Sequence, residues 1–167
     1  MAVSEPYHIG VLVFDLERGM ADFSELLGIE FEEPRSIPVD GRQCELSGAP
    51  SEWDLRLCIS VSGPMCVELI EAQPDGIWGR QHGEGFHHFG VWKTDLEATL
   101  RGHELLELPT EAIVRAGGPA TAPTAMYMAP GDKSHNTRIE FVKPRPGVLP
   151  PGAAAGYSAS MAGDSSI

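Results

Sequence analysis

The sequence predicts an α+β protein built from two copies of one module of strands and a helix. The first observation is an internal repeat, since residues 8–17 and 88–97 share His, Gly, Val, Asp, Leu and Glu at six of ten positions. The second is the hydrophobic pattern, in which apolar runs of strand length surround one helical stretch in each copy. The third is size, because 167 residues suffice for one ordinary domain or for two small modules that share a core.

Module one spans residues 7–71 and opens with an apolar, β-branched strand at 7–14. Asp15 is placed to cap a helix that runs to about Leu27, and Gly28 is placed to end it. The remainder is predicted to be extended at 29–33 and then to form three strands, at 43–46, 53–61 and 65–71.

Module two spans residues 86–143 and follows a connector at 72–85 that is rich in Gly, Gln and Pro. It repeats the same order, with a strand at 86–92 and a helix that Asp95 opens and that runs to about Leu105. Its three remaining strands are predicted at 110–114, 125–128 and 137–143. Residues 1–143 therefore form a single predicted domain. The Pro/Gly/Ala/Ser-rich residues 144–167 are predicted to be a disordered tail.

Composition narrows the classes of partner. The net charge of -12 argues against nucleic acid, which needs clustered Lys and Arg, and leaves no basic patch for anionic lipid. The three cysteines have no CxxC spacing, so they suggest neither a disulfide framework nor a zinc knuckle. No apolar run approaches the roughly 20 residues that span a bilayer, and the first residues are too polar for a secretory signal. We therefore expect a cytoplasmic protein.

Two histidines and two glutamates occupy matching places in the repeat. His8 and His88 each begin the first strand of a module, while Glu68 and Glu140 each lie between two large apolar residues of a last strand. Because strand side chains alternate between faces, each glutamate points away from those neighbours. If each last strand lies beside the first strand, each module offers one imidazole and one carboxylate on one face. Such a set suits a divalent ion, namely Zn, Ni, Co, Mn or Fe.

Each of these residues also has an ordinary structural interpretation. A lone histidine in a strand is usually a satisfied structural residue, and a glutamate that alternates in a strand usually faces solvent. The coincidence of all four in one repeat favours a metal site. His87 competes with His88, although alternation predicts that it turns to the opposite face, and His135 is a weaker candidate in a loop before the last strand. His82 and His103 are interpreted as surface residues.

The same motifs resemble a known superfamily. The stretch from Tyr7 to Glu17, followed by Leu26-Leu27-Gly28, resembles the opening of the vicinal oxygen chelate superfamily, which contains glyoxalases, bleomycin-resistance proteins and dioxygenases. Residues 67–71, 85–91 and 139–142 match its other landmarks, and the likeness is nearest to methylmalonyl-CoA epimerase-like and glyoxalase-like members. The resemblance implies two paired βαβββ modules that form a half-open, cup-shaped mixed sheet around one divalent metal. It implies four metal ligands: His8, Glu68, His88 and Glu140.

The resemblance also implies a function. The expected activity is chelation of a small, oxygen-rich carbonyl substrate and proton transfer next to the carbonyl, by an epimerase, isomerase or lyase, with Glu68 and Glu140 moving the proton. One alternative is an Fe(II) extradiol-type dioxygenase, against which the fourth ligand argues. Another is a protein that sequesters a drug or natural product in an acidic groove. Because members commonly dimerise, we expect a homodimer.

Other side chains are candidates for the wall of the cup. Phe14 and Trp92 share the strand parity of the two histidines, so they are expected to line the cup together with Trp53 and Tyr127, core packing being the alternative. Lys133 and Arg138 are candidates for holding a substrate carboxylate, surface solvation being the alternative.

Overall fold

The computed structural model describes residues 6–39, 44–46, 53–61, 65–115, 118 and 120–144. Within them it confirms the α+β fold, with two α-helices and one nine-stranded mixed sheet. In chain order the elements are β1 Pro6–Val13, α1 Leu16–Leu27, β2 Arg35–Val39, β3 Cys44–Leu46, β4 Trp53–Ile59, β5 Cys66–Glu71, β6 Gly85–Trp92, α2 Leu96–Leu105, β7 Thr110–Val114, β8 Ala125–Met128 and β9 Arg138–Val142. Neither helix in this part of the chain is long and apolar enough to cross a membrane. Apart from residue 144, the predicted tail lies outside the described residues.

Both modules start in the same way, as the repeat predicts. A carboxylate oxygen of Asp15 accepts from the backbone N–H of Arg18 at 2.9 Å, and that of Asp95 accepts from the N–H of Ala98 at 2.8 Å. Each bond satisfies an N–H group that has no partner within its helix. Gly28 ends α1 with φ at 65°, a left-handed conformation that costs glycine little.

The strand order is β2-β4-β5-β1-β6-β9-β8-β7-β3. In each module the last strand lies parallel to the first, since β5 pairs with β1 and β9 pairs with β6. The two first strands, β1 and β6, pair antiparallel at the centre of the sheet. The first and last strands of the two modules are thus related by an approximate twofold arrangement, and both histidine strands lie side by side.

The sheet must curl strongly, because its two outer strands follow each other in the chain. Val39 ends β2 and Cys44 begins β3, so five peptide steps join them and span at most about 18 Å. A flat sheet of nine strands, spaced about 4.8 Å apart, would hold its outer strands about 38 Å from each other. The sheet therefore closes into a cup whose rim strands approach one another.

The prediction for module one was wrong in one respect, because four strands follow its helix and not three. Residues 29–33 form no strand beyond a single bridge from Phe31 to Ser60, while the unpredicted strand β2 begins at Arg35. This strand contains Pro38 and, among the described strands, pairs with β4 alone, and an edge strand is where a sheet tolerates proline. The strand β3 crosses over to pair with β7 of module two.

Apolar residues pack on both faces of the sheet. On the concave face the largest buried cluster contains Leu12, Leu55, Leu57, Ile70, Ala72, Ile77, Trp78, Ala112 and Tyr127. Beneath α1 a second cluster contains Val11, Val13, Leu16, Cys58, Val67 and Leu69. Ile77 and Trp78 come from the connector, so this segment is part of the core of the cup.

The equivalent helix caps predict equivalent losses of stability. Asp15→Ala and Asp95→Ala should each lower the free energy of unfolding by about 1 kcal/mol, because each removes one capping acceptor. The double variant should lose about the sum, since the two caps share no partner. Urea unfolding monitored by circular dichroism measures all three values. Asp15→Asn and Asp95→Asn retain the acceptor and should stay within a few tenths of a kcal/mol of the parent; equal losses in the Asn and Ala variants would contradict the capping role.

Candidate metal centre

The four predicted ligand residues converge at the centre of the sheet. One ligand atom each from His8, Glu68, His88 and Glu140 lies within 4.8 Å of the others, and all four residues are buried. The register explains the convergence. Gly10 pairs with both Glu68 and His88, while Gly90 pairs with both His8 and Glu140. Each glutamate therefore lies across a glycine from the histidine of the other module.

The ligand atoms face a common point. Nε2 of His8 lies 2.8 Å from Nε2 of His88 and 2.9 Å from Oε2 of Glu140, and the distance from His88 Nε2 to the same oxygen is 3.3 Å. Oε2 of Glu68 is 3.5 Å from both of these nitrogens. The donor set is thus two imidazole nitrogens and two carboxylate oxygens.

Two glycines make room for the imidazoles. A Cβ atom on Gly10 would lie 2.0 Å from Cε1 of His88, and a Cβ atom on Gly90 would lie 2.1 Å from Cε1 of His8. Real side chains do not approach so closely, so each His-x-Gly sequence carries one candidate ligand and the space for the candidate ligand of the other module. In the sequence these glycines stand out only as markers of the repeat, and the repeated His-x-Gly spacing was the available signal for the role that was missed.

The prediction for His87 was wrong. In the pairing of β1 with β6, His88 lies opposite Gly10 but Phe86 lies opposite Val11, so His87 is an extra residue in a β-bulge. A bulge interrupts the alternation of side chains on which the prediction depended. His87 is 5% exposed, and its Nδ1 lies 2.9 Å from Nδ1 of His88. It therefore contacts His88 at Nδ1, the ring nitrogen that does not face the centre.

The charges of the centre depend on one another. Burial lowers the pKa of His88, but its contacts with the Glu140 and Glu68 carboxylates outweigh burial and raise that pKa to about 9. Burial raises the pKa of Glu140, but the contacts with His8 and His88 outweigh it and hold that pKa well below its usual range. For His87, burial lowers the pKa to about 3, so this imidazole is neutral at pH 7. A cation that binds the centre must displace the proton of His88.

The buried atoms fit a divalent ion. Oε2 of Glu68 and Oε2 of Glu140 are buried without a well-aligned hydrogen-bond donor among the described residues. A buried carboxylate oxygen without a donor is costly unless a cation compensates it. Two imidazole nitrogens and two carboxylate oxygens are the donors that Zn, Ni, Co, Mn and Fe accept. The side chains present thus match the group that the sequence predicts.

A cavity within the cup opens directly onto this centre. His8, Glu68 and Glu140 form part of its wall, and the rest is mainly apolar or aromatic. Trp92 and Tyr127 line it as predicted. The prediction for Phe14 was wrong, because β1 ends at Val13 and Phe14 is 37% exposed, with the Arg80 guanidinium 5.0 Å from its ring centroid. The side chain of Trp53 lies outside the described residues.

Several other candidate residues lie elsewhere. Arg138 is buried, not solvated, because its guanidinium donates two hydrogen bonds to the Glu111 carboxylate, at 2.5 Å and 3.2 Å. Lys133 and His135 are exposed and do not line the cavity. His82 is exposed as predicted.

One further prediction was wrong, and one residue of the cavity wall was missed. His103 was predicted at the surface but is buried beside Phe141, since α2 packs this face of its helix on the sheet. The cation on the cavity wall is Arg35, which sequence reasoning missed because it begins the unpredicted strand β2.

Comparison with known proteins gives a family and a fold. A family model described as the Glyoxalase/Bleomycin resistance protein/Dioxygenase superfamily matches residues 7–121. None of the curated proteins compared with the chain matches it.

Three similar solved structures illustrate the likeness of fold. A variant of Streptomyces coelicolor methylmalonyl-CoA epimerase, in complex with 2-nitronate-propionyl-CoA, has 17% identity and a TM-score of 0.61 over 85% of this chain and 98% of its own. The Mycobacterium tuberculosis methylmalonyl-CoA epimerase has 17% identity and a TM-score of 0.60 over 87% and 93%. A hypothetical protein from Bacillus halodurans has 15% identity and a TM-score of 0.62 over 89% and 99%.

The glycine contacts predict that added methyl groups disrupt the centre. Gly10→Ala and Gly90→Ala should each weaken zinc binding at least about tenfold and lower stability by about 1–3 kcal/mol, because a buried imidazole must move. Calorimetric titration with Zn²⁺ and urea unfolding measure the two effects. Gly102→Ala is the matched control, since a Cβ there meets nothing within 4 Å, and this variant should keep the parental affinity. Parental zinc affinity in both Gly10→Ala and Gly90→Ala would contradict the assignment.

Proposed function

This chain belongs to the glyoxalase/bleomycin resistance protein/dioxygenase superfamily, and on that premise we propose that it is a divalent-metal-dependent enzyme that transfers a proton next to a carbonyl group. Its reaction would be an epimerisation, an isomerisation or a lyase step. The observation that carries the proposal is the convergence of two buried carboxylates and two buried imidazoles at the wall of a largely apolar cavity.

The four convergent side chains would hold the ion, one ligand atom from each. When bound, the ion supplies Lewis-acid stabilisation of negative charge that develops on a substrate oxygen. The substrate class that suits such a centre is a small carbonyl compound with two neighbouring oxygen atoms. Such a compound would reach the ligand side chains from the cavity, because three of the four ligand residues form part of its wall.

The carboxylates are the groups that would move the proton. Glu68 comes from β5 and Glu140 from β9, so the two reach the centre from opposite sides of the paired strands β1 and β6. A carboxylate that loosens from the ion would accept a proton from a substrate carbon and return it. Two such oxygens at one substrate carbon suit removal of a proton on one face and its return on the other.

The apolar walls favour this chemistry. Leu55, Leu57 and Trp78 are buried against the cavity and keep bulk water away from the carboxylates. Interactions between charges strengthen where water is excluded. The names of the similar solved structures also support an epimerase-type reaction, since several are methylmalonyl-CoA epimerases. Arg35 adds a positive charge to the wall, which suits a substrate with an anionic group.

The first test of the proposal is metal content. The parent protein should bind one divalent ion per chain, and elemental analysis before and after chelation should detect it. His88→Ala and Glu140→Ala should lose tight binding, because each removes one ligand. The exposed glutamate of α2 provides the control Glu104→Ala, which should bind like the parent. No ion taken up from Zn²⁺, Ni²⁺, Co²⁺, Mn²⁺ or Fe²⁺ would overturn the proposal in favour of a sequestering protein.

The second test is proton exchange. The metal-loaded protein in D₂O should catalyse exchange at the α-carbon of at least one member of a panel of 2-substituted acyl thioesters, 2-hydroxy ketones and 2-oxo acids, as measured by ¹H NMR. Glu68→Gln and Glu140→Gln at saturating metal should each lower the rate about 10²-fold or more, because each removes a proton acceptor. Metal binding without exchange of any substrate, or consumption of O₂ with an Fe²⁺-loaded protein, would contradict proton transfer.

A further inference from the structure

We propose that His87 is a positioning residue that fixes the ring of His88, so that Nδ1 of His88 keeps a proton and Nε2 is the atom that faces the metal centre. The proposal rests on the metal centre described above. It assigns a role to a buried histidine that is outside the four-residue ligand set.

A backbone carbonyl determines which nitrogen of His87 carries the proton. Nε2 of His87 lies 2.6 Å from the carbonyl oxygen of Ile77. A carbonyl oxygen only accepts hydrogen bonds, so Nε2 of His87 must carry the ring proton and donate it. The other tautomer would place a nitrogen lone pair against an oxygen lone pair within a buried contact, which would cost free energy.

The direction of the hydrogen bond between His87 and His88 follows, because a neutral imidazole carries a single ring proton. With Nε2 protonated, Nδ1 of His87 bears a lone pair and accepts. The atom at hydrogen-bond distance is Nδ1 of His88, at 2.9 Å. His88 must therefore donate from Nδ1. Because the proton sits on Nδ1, the neutral His88 ring presents the lone pair of Nε2 to His8, Glu68 and Glu140.

The chain of contacts runs from the connector to the ligand: the Ile77 carbonyl accepts from His87, and His87 accepts from His88. Partners of this kind, behind a ligating histidine, fix its tautomer and ring orientation. The connector therefore contributes to the centre through Ile77, a residue with no counterpart in the repeat. The bulge at His87 is what turns this side chain towards His88.

The equivalent place in module one gives an internal comparison. Tyr7 precedes His8 as His87 precedes His88, and Tyr7 is also the extra residue of a bulge, since Pro6 pairs with Val91 and His8 with Gly90. The Tyr7 ring stacks on Trp92, with the centroids 3.8 Å apart. Nδ1 of His8 is buried and has no hydrogen-bond partner in the described part of the chain. The twofold arrangement thus positions both imidazoles, but only His88 is held from behind.

The experiment compares three variants of the full chain. His87→Phe keeps a buried ring but removes both hydrogen bonds, and it should weaken zinc binding about 10–100-fold. The amide of His87→Gln can donate from its NH₂ group and accept at its oxygen, and this variant should recover most of the affinity. His103→Phe is the matched control, because His103 is also buried but lies on α2 against Phe141; it should bind zinc within about twofold of the parent. Competition with a chromophoric chelator measures each affinity.

A second measurement reads the tautomer without reference to activity. In ¹⁵N-labelled protein, NMR should detect a slowly exchanging proton on Nδ1 of His88 and a coupling across the hydrogen bond to Nδ1 of His87, with and without Zn²⁺. His87→Phe should lose both signals while remaining folded by circular dichroism. A parent His88 protonated only on Nε2, or parental zinc affinity in His87→Phe, would overturn the role of His87. A parent that shows the coupling but binds no metal would contradict the metal centre but not the hydrogen bond from His88 to His87.

Discussion

The antiparallel pairing of β1 with β6 is the contact on which the rest of the centre depends. This register places Gly10 opposite His88 and Gly90 opposite His8, so each module provides the space that the imidazole of the other fills. The parallel strands β5 and β9 then add one carboxylate each across the same glycines. A slip of one residue would turn every one of these side chains to the opposite face of the sheet. The apolar clusters on both faces oppose such a slip, because it would expose them.

The two buried carboxylates of this centre need positive charge beside them, because burying an unpaired charge costs free energy. Leaving a buried charge without its partner costs about 3–5 kcal/mol, a large part of the roughly 5–15 kcal/mol by which a domain is stable. Glu140 nevertheless stays ionised, because the imidazoles beside it lower its pKa. In the absence of an ion, the proton on His88 supplies the compensating positive charge. A divalent ion would compensate both carboxylates, so the folded chain is arranged to favour a cation at this point.

Features that lie within one module could be predicted from the sequence, whereas features that depend on contacts between the modules were missed. His8, His88, Glu68 and Glu140 could be identified because each holds the same place within its own copy of the repeat. The role of His87 depends on a bulge between β1 and β6, which no local pattern encodes, and the role of Gly10 depends on the register of these strands, at which only the repeated His-x-Gly spacing hinted. For the same reason β2 and the exchange of β3 into module two were missed, since both involve edge strands whose partners are distant in sequence. Trp78 entered the core from a segment whose composition suggested only a connector.

The departures from twofold symmetry would serve the proposed reaction. A perfectly twofold centre would hold two equivalent carboxylates, yet in that reaction a proton that leaves one face of the substrate and returns on the other would need a donor and an acceptor that differ. Oε2 of Glu140 lies 2.9 Å and 3.3 Å from the two imidazoles, whereas Oε2 of Glu68 lies 3.5 Å from both. Glu140 therefore lies closer to the imidazoles than Glu68 does, and in the proposed reaction Glu68 would be the carboxylate that loosens from the ion. The imidazoles differ in a similar way, since Nδ1 of His88 lies 2.9 Å from Nδ1 of His87 whereas Nδ1 of His8 has no hydrogen-bond partner among the described residues.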